Sequence, residues 1–264
     1  LAKGLMSKFD LLNSKCLISG TSSGIGMFLK EKLPFAESFD RSVSISKYKK
    51  KSYDAIIHCA YDSSSAKGHK NIYEQSRSNI YLVEKLCEIN TKVFIFFSSI
   101  DVYPKKFKGS QSDYRIGSED LLNRHAFFKM IGESIVASKV KNYFIFRPSL
   151  MIGKNARINT LVNIVKGNKG PFTLAKNSKF NLITHDQVLF CIQAALTANK
   201  KRVINLCSGL EVSLDEVARY VGNNNIQWGR HQYLTPKIEN SNAIQFFGAD
   251  DIKINELIST ILSW

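Results

Sequence analysis

The sequence predicts an α/β fold, in which a doubly wound parallel sheet carries helices on both faces and a small lobe follows toward the C-terminal end. Near the N-terminus, a short apolar run gives way to a glycine-rich turn and then to a helical pattern. Strand-sized apolar runs then alternate with longer amphipathic segments. After Arg147 and Pro148 this alternation loosens, which indicates that later residues contribute to a separate lobe.

The glycine-rich turn predicts a phosphate site. The apolar run Cys16–Ile18 is typical of a buried strand, and glycines follow at positions 20, 24 and 26. Glycines let the backbone approach a phosphate closely, and free N–H groups of the first helical turn point toward it. An ordinary strand-to-helix loop shares this local pattern, so the rest of the chain has to decide. The candidate cofactor-binding residues of the turn are Gly20, Ser22, Ser23, Gly24, Ile25 and Gly26.

The following elements alternate between strand and helix. The predicted strands are Ser42–Ser46, Asp54–Ala60, Val93–Phe97 and Tyr143–Phe146, and the predicted helices are Asn71–Ile89 and Ser118–Lys139. Uniformly apolar strands such as Val93–Phe97 are typical of a parallel sheet buried on both faces. Ligands of such sheets bind beyond the carboxyl ends of the strands. The Gly-, Asn- and Lys-rich stretch Gly167–Lys179 predicts a loop.

We therefore expect three regions. Residues 1–14 form an N-terminal tail, of which the five residues before Met6 are a candidate cloning remnant. Residues 15–150 form a Rossmann-type dinucleotide-binding core, and residues 151–264 form a mixed region of substrate-binding lobe and remaining core elements.

Composition narrows the class of protein. The chain has 264 residues, of which 44% are hydrophobic, enough for one substantial core with a small appended lobe. Its apolar runs are too short to span a membrane, and no leader pattern opens the chain, so we expect a cytoplasmic protein without membrane contact. The five cysteines are scattered and lack metal-ligand spacing, which predicts free thiols and no metal site.

The net charge of +15 has several explanations. Lysines cluster at residues 47–51 and again at 105–108. Nucleic acid, anionic nucleotide substrates and a lysine-rich genome all fit such clusters, which are usually solvated surface. No zinc-finger, aromatic RNA-binding or basic-zipper spacing is present, so nucleic acid is the less favoured partner.

With these elements placed, the chain resembles the extended short-chain dehydrogenase/reductase family, in its NAD-dependent epimerase/dehydratase, nucleotide-sugar branch. Asp54–Ala60 is similar to the family's D-x-V-I-H-x-A strand, Ser78–Ile80 to its V-N-x helix start, and Phe96–Tyr103 to its S-S-x-x-V-Y strand end. Arg147–Ser149 is similar to its R-P element, and Asn181–Val188 to its F-I-H-V-D-D-V-A segment. Val203–Leu214 is similar to its Y-N-x-G-x-G stretch, and Ile252–Trp264 to its final helix, which closes on tryptophan. The G-x-x-x-G-x-G spacing of the turn departs from this branch and is that of the shorter, single-domain members.

The resemblance implies that the end of the Asp54–Ala60 strand borders the cofactor, which makes Ala60 a candidate cofactor contact. It also implies a catalytic Ser or Thr, a Tyr, and a Lys four residues after the Tyr that holds the nicotinamide ribose. Ser99 and Lys129 stand at the Ser and Lys positions, whereas His125 replaces the Tyr. Three interpretations stay open: His125 is a working acid/base, the chain binds its ligands with little or no turnover, or another tyrosine such as Tyr103 or Tyr114 substitutes.

The chemistry of histidine is compatible with the first interpretation. His125 and Lys129 are spaced i, i+4 and lie on the same helix face. A neighbouring ammonium pushes the pKa of an imidazole below its ordinary value near 6.5. Neutral imidazole can then accept a proton or donate a hydrogen bond. His58 and His185 occupy positions that we interpret as satisfied core groups.

The resemblance also implies the cofactor and the reaction. If Ser42–Ser46 is the second strand, hydroxyls and then Lys47 follow without an acid, which favours NADP over NAD. The expected activity is 4-keto reduction or epimerisation of a nucleotide-activated sugar by hydride transfer, in a chain that could form a homodimer. Dehydration is disfavoured because Ile100 and Asp101 stand where dehydratases carry an Asp-Glu pair. The alternative is a catalytically weak or inactive NAD(P)-binding regulator or RNA-associated member of the same family.

Overall fold

The computed structural model describes residues 11–62, 71–103, 108–109, 124–198, 202–235, 237–238 and 253–264. Its central element is a parallel six-stranded sheet of order β2-β1-β3-β4-β6-β9. These strands are β1 (Cys16–Ser19), β2 (Glu37–Ser38), β3 (Ser52–His58), β4 (Asn90–Phe97), β6 (Tyr143–Pro148) and β9 (Arg202–Leu206). The predicted Rossmann-type α/β fold is confirmed.

Helices and short strands complete the described chain. The helices are α1 (Gly24–Lys32), α2 (Ile45–Lys49), α3 (Ile72–Ser76), α4 (Leu82–Leu86), α5 (Arg124–Lys139), α6 (Thr160–Val165), α7 (His185–Ala198), α8 (Leu214–Tyr220) and α9 (Ile254–Leu262). The remaining strands are β5 (Lys108–Gly109), β7 (Leu150–Ile152), β8 (Lys179–Thr184), β10 (Glu211–Ser213) and β11 (Lys237–Ile238).

The main sheet separates two apolar layers because successive side chains of a strand point to opposite faces. Ile18 and Ile95 belong to a cluster under α1 and α7, whereas Leu17 and Phe94 belong to a cluster on the other face, under α4 and α5. All four side chains are fully buried. Burial on both faces explains why these strands are continuously apolar.

A second, smaller sheet is built from strands that lie before and after β9 in the sequence. Strands β10, β8 and β7 form it, with β8 antiparallel to β10 and parallel to β7. Its apolar face packs on α6, α8 and α9 in a separate cluster that includes Val212, Leu214 and Leu257. The Gly167–Lys179 loop is confirmed up to Ser178, and β8 begins at Lys179.

The predicted strand Ser42–Ser46 is wrong. The second strand is Glu37–Ser38, and the later segment is a turn that leads into α2. The Asp40 carboxylate accepts hydrogen bonds from the backbone N and hydroxyl of Ser42, and the Ser44 side chain caps α2 by accepting from Ser46 N. Short polar side chains of this kind satisfy local backbone groups and so compete with strand pairing.

The long helical predictions are largely confirmed. Residues 72–86 are helical, with a π-helical segment at Arg77–Tyr81 between α3 and α4, and Asn71 caps the start. Helix α5 covers the described part of the predicted helix Ser118–Lys139, whose residues 118–123 lie outside the described residues.

The described residues contain no helix that is long and apolar enough to cross a membrane. The same part of the chain holds no group of three or more His, Cys, Asp or Glu residues arranged to bind a metal ion. The five cysteines are free thiols.

Candidate active site

A cavity of about 400 Å³ opens at the carboxyl ends of β1, β3, β4 and β6. Its lining includes every residue that the sequence predicted for the site: Gly20, Ser22, Ser23, Gly24, Ile25, Gly26, Ala60, Ser99, His125 and Lys129. The topology explains this convergence because parallel strands end at the same edge of the sheet.

The glycine turn is packed too closely for side chains. A Cβ on Gly26 would lie 2.2 Å from the carbonyl oxygen of Gly20, and a Cβ on Gly20 would lie 2.7 Å from Ala60 Cα. Gly20 also has a φ of +80°, in the left-handed region that favours glycine. Gly24, with a φ of +61°, has open space where its Cβ would be. The turn therefore packs tightly on the β3 end and leaves free space beside Gly24.

The start of α1 is available to an anion. Ser23 is the N-cap, but its hydroxyl makes no capping hydrogen bond. The N–H of Gly24 donates to the carbonyl of Asn155 at 2.6 Å, so the segment after β7 lies against the turn. A helix N-terminus carries partial positive charge and binds phosphate groups.

Two buried polar groups of the cavity wall lack hydrogen-bond partners within the described part of the chain. They are the Ser149 hydroxyl and Nδ1 of His185. A buried polar group of this kind lowers the stability of the fold unless a ligand or water forms a hydrogen bond with it. Together with the glycine turn, they fit a bound dinucleotide with its anionic pyrophosphate and polar carboxamide.

The two further histidines differ in one respect. His58 accepts or donates a hydrogen bond with the Ser19 hydroxyl at 2.6 Å and stacks on Phe96, so its interpretation as a satisfied core group is confirmed. His185 is equally buried, but its Nδ1 has no hydrogen-bond partner among the described residues. The interpretation of His185 as a satisfied core group is therefore wrong.

A neighbouring groove of about 400 Å³ extends from the cavity past Arg41, which lines both. Its walls come from the segment after β2 and from the helical residues 77–85. The corrected position of β2 puts an acid, Asp40, shortly after the strand, where the sequence analysis found none. Both the hydroxyl and the backbone N–H of Ser42 donate to Asp40 at 2.8 Å, whereas Arg41 faces the two cavities.

Ser99 lies at the end of β4. Its hydroxyl oxygen accepts a hydrogen bond from Asp101 N at 3.1 Å and caps a short 3₁₀ turn. The Asp101 carboxylate in turn accepts a hydrogen bond from the Tyr233 hydroxyl at 2.9 Å. Burial raises the pKa of Asp101, partly offset by its hydrogen bonds with Tyr233 and Ser99. The strand end is thereby fastened to the region around the second sheet.

Lys129 points into the cavity from α5 and is almost completely buried. Its Nζ donates to the Phe97 carbonyl at 2.6 Å and lies 5.0 Å from the centre of the Tyr61 ring. Burial lowers the pKa of this ammonium to about 8. Lys129 is thus a mostly charged group held in a low-dielectric wall of the site.

His125 lies one helical turn before Lys129, as the spacing predicts. Burial and the nearby Lys129 charge lower its pKa to about 4, so the imidazole is neutral near pH 7. Its ring meets the Tyr61 ring edge-on, with the two centroids 4.4 Å apart and the planes at 84°.

Tyr61 is the residue that the sequence analysis missed. It follows Ala60 directly and lines the cavity beside His125 and Lys129. Tyr103, considered earlier as a substitute acid, is fully buried, and its hydroxyl donates to Asn205 Oδ1 and accepts from Arg147, each at 2.8 Å. Tyr114 lies outside the described residues. A polar aromatic residue at the end of the D-x-V-I-H-x-A strand was the available signal for Tyr61.

A buried ion pair supports the floor of the site. Arg147 on β6 donates to both Glu133 oxygens, Nε to Oε1 at 2.9 Å and Nη2 to Oε2 at 2.6 Å. The Ser98 hydroxyl donates to the same carboxylate. Since Ser98 precedes Ser99 and Glu133 follows Lys129 by one turn, this network fixes β4, β6 and α5 relative to one another.

Solved structures share this architecture. The Bordetella bronchiseptica enzyme WbmG in complex with NAD matches with a TM-score of 0.78 and 15% identity, over 98% of this chain and 96% of that one. The dTDP-4-dehydrorhamnose reductase of Bacillus anthracis in complex with NADP matches with a TM-score of 0.75 and 15% identity, over 95% and 98%. The UDP-glucuronic acid 4-epimerase of Bacillus cereus, in complex with UDP-glucuronic acid and NAD, gives 0.74 and 15%, over 94% and 98%. At these identities the likeness establishes the fold.

Sequence comparison establishes the family. No curated protein matches the chain significantly. The profile of the NAD dependent epimerase/dehydratase family, however, matches residues 32–207, about two thirds of the sequence. This match spans the Ser99 strand end and Lys129, and the chain belongs to the NAD dependent epimerase/dehydratase family.

Proposed function

We propose that the protein is an NAD(P)-dependent oxidoreductase or epimerase that acts on a nucleotide-activated sugar, by 4-keto reduction or by epimerisation through a transient ketone. The observation that carries this proposal is one cavity that joins the glycine turn to Ser99, His125 and Lys129. The similar folds that hold NAD or NADP, one of them with a UDP-sugar, support the same class.

The glycine turn and the start of α1 would hold the pyrophosphate of the dinucleotide, and Ala60, Ser149 and Lys129 would border its nicotinamide half. When bound, this cofactor supplies or removes a hydride at the sugar carbon. The buried Lys129 charge attracts the ribose hydroxyls and the developing oxyanion, and it acts strongly because water is excluded around it.

The remaining groups handle the sugar oxygen. The Ser99 hydroxyl would hydrogen-bond to it, and the neutral His125 imidazole would exchange a proton near it. Oxidation of a sugar hydroxyl requires a proton acceptor, a role that neutral imidazole can fill. Reduction of a ketone requires a donor, which neutral imidazole fills poorly.

We also propose that NADP is preferred over NAD. The support now comes from Arg41, because the predicted strand at Ser42–Ser46 is wrong. The Asp40 carboxylate is already engaged by Ser42, whereas the Arg41 cation faces the groove where an adenosine 2′-phosphate would lie. Arg41→Ser should weaken NADPH binding about tenfold or more and leave NADH binding nearly unchanged. Arg230→Ser, at an exposed arginine outside both cavities, is the matched control.

The proposed activity is tested with a panel of nucleotide sugars and 4-keto nucleotide sugars, each with NADPH or NADH. Reduction appears as loss of absorbance at 340 nm, and epimerisation appears as a new sugar by chromatography. We expect turnover with at least one nucleotide sugar and none with the free sugars. His125→Phe should lower kcat about 100-fold or more while dinucleotide binding stays intact. Tight dinucleotide binding without turnover on any member of the panel would favour the non-catalytic alternative.

A further inference from the structure

Tyr61 lines the candidate site, although the proposed function does not use it. Its ring contacts the His125 imidazole at a centroid distance of 4.4 Å and lies 5.0 Å from the Lys129 ammonium. All three side chains and Ser99 line the same cavity. Among the described residues, Tyr61 is the tyrosine that lines this cavity.

Among the described residues, the groups of the proposed function are poor proton donors for ketone reduction. With its pKa at about 4, His125 carries the extra proton in roughly one molecule per thousand near pH 7. The Lys129 ammonium is already donating to the Phe97 carbonyl. The Ser99 hydroxyl is tied to the Asp101 turn and is a weak acid. The Tyr61 phenol, in contrast, belongs to a ring that contacts both His125 and Lys129.

We propose that Tyr61 is the proton donor to the sugar carbonyl oxygen and that His125 returns the proton to it. This inference rests on the proposed function. Burial and the nearby Asp62 charge raise the pKa of Tyr61 to about 12, partly offset by Arg124, so the phenol is fully protonated near pH 7. The Lys129 cation facing its ring stabilises the phenolate that forms transiently.

The proton balance is closed. The O–H bond of Tyr61 breaks as its proton moves to the carbonyl oxygen, which becomes a hydroxyl while the carbon receives hydride from the reduced nicotinamide dinucleotide. The Tyr61 phenolate then takes a proton from one ring nitrogen of His125, while the other ring nitrogen takes a proton supplied by the buffered solvent. The net step consumes one hydride and one solvent proton. Tyr61 returns to a neutral phenol, and His125 stays neutral but ends as its other tautomer, which exchange with solvent restores.

The first test is Tyr61→Phe, which keeps the ring contacts and removes the hydroxyl. We expect a loss in kcat of about 100-fold or more, with KM and the dinucleotide Kd within about threefold of the unaltered protein. Tyr220→Phe is the control, since Tyr220 is 53% exposed and lines neither this cavity nor the neighbouring groove, and it should stay within about twofold. Unchanged kcat in Tyr61→Phe overturns the inference and leaves the proposed function standing.

A second test needs neither cofactor nor turnover. Tyr61 is replaced by 3-fluorotyrosine, and fluorine NMR follows ionisation of this phenol in the cofactor-free protein. Because burial and the Asp62 charge disfavour the phenolate, the fluorophenol at position 61 should stay protonated near pH 7 and ionise at a higher pH than 3-fluorotyrosine placed at the exposed position of Tyr220.

The outcomes separate the two hypotheses. A fluorophenol at position 61 that is ionised near pH 7, or that ionises at a lower pH than the one at position 220, overturns the role of Tyr61. Absence of turnover in the unaltered protein contradicts the proposed function, and the inference then falls with it.

Discussion

The buried pair of Arg147 and Glu133 allows a quantitative prediction about the floor of the site. The two side chains are only 5% and 8% exposed, and their closest N–O distance is 2.6 Å. In Arg147→Met, the Glu133 carboxylate stays buried without its cation. Removing one partner of such a pair costs about 3–5 kcal/mol, because desolvation of the remaining charge is no longer compensated.

Chemical unfolding in urea measures this cost as a loss in the free energy of unfolding. In a thermal melt of a chain of this size, each kcal/mol shifts Tm by about 2–4 °C, so Arg147→Met should lower Tm by roughly 6–20 °C. The slope of the urea transition should not change. The double variant Glu133→Gln/Arg147→Met should recover much of the loss, because it removes the stranded charge as well.

An exposed pair supplies the control. Arg219 Nε lies 3.3 Å from Asp215 Oδ2, with side chains 71% and 41% exposed. Arg219→Met should therefore change the free energy of unfolding by about 0.5 kcal/mol or less. Equal losses in Arg147→Met and Arg219→Met, or no recovery in the double variant, would refute the reasoning about buried charge.

Three further predictions concern the turn, the pH and the last helix. Gly26→Ala should abolish measurable dinucleotide binding in a fluorescence titration, because its Cβ would lie 2.2 Å from a carbonyl oxygen, whereas Gly222→Ala, outside the cavity and with open space but a φ of +67°, should cost about 1 kcal/mol and retain binding. His58, His125 and His185 have pKa values lowered, mainly by burial, to about 3, about 4 and about 4. The unfolded chain therefore binds their protons first as pH falls, and the free energy of unfolding should drop by about 5–6 kcal/mol between pH 7 and pH 5; equal urea midpoints at both pH values would contradict this. Leu257→Ala, at a fully buried side chain of α9, should destabilise by about 2–5 kcal/mol in urea melts, and Leu262→Ala, at one 61% exposed, by less than 1 kcal/mol.

Patterns that depend on neighbouring residues could be predicted from the sequence. The apolar run Val93–Phe97 predicted a strand buried on both faces. Successive side chains of a strand point to opposite faces, so a strand in a sheet that is covered on both sides is apolar at every position. The i, i+4 spacing of His125 and Lys129 predicted a shared helix face for the same local reason. The glycine turn was predictable because its spacing reflects a backbone requirement within a few residues.

Features that depend on tertiary packing could not be predicted in this way. The strand at Glu37–Ser38 is only two residues long, and it forms because β1 offers backbone partners to it. Hydroxyl-rich Ser42–Ser46 looked more strand-like, but its side chains satisfy the backbone locally. The role of Tyr103 was also hidden, since its partner Asn205 is 102 residues away.

The position of Tyr61 shows why the exchange of Tyr for His at position 125 is not an isolated loss. An imidazole is smaller than a phenol, and the Tyr61 ring packs against it in an edge-to-face contact with the centroids 4.4 Å apart. A larger ring at position 125 should therefore require Tyr61 to repack. The Lys129 ammonium lies 5.0 Å from the centre of the Tyr61 ring. This cation can therefore favour the phenolate of Tyr61, which follows β3, in place of the phenolate of a tyrosine at position 125 on α5.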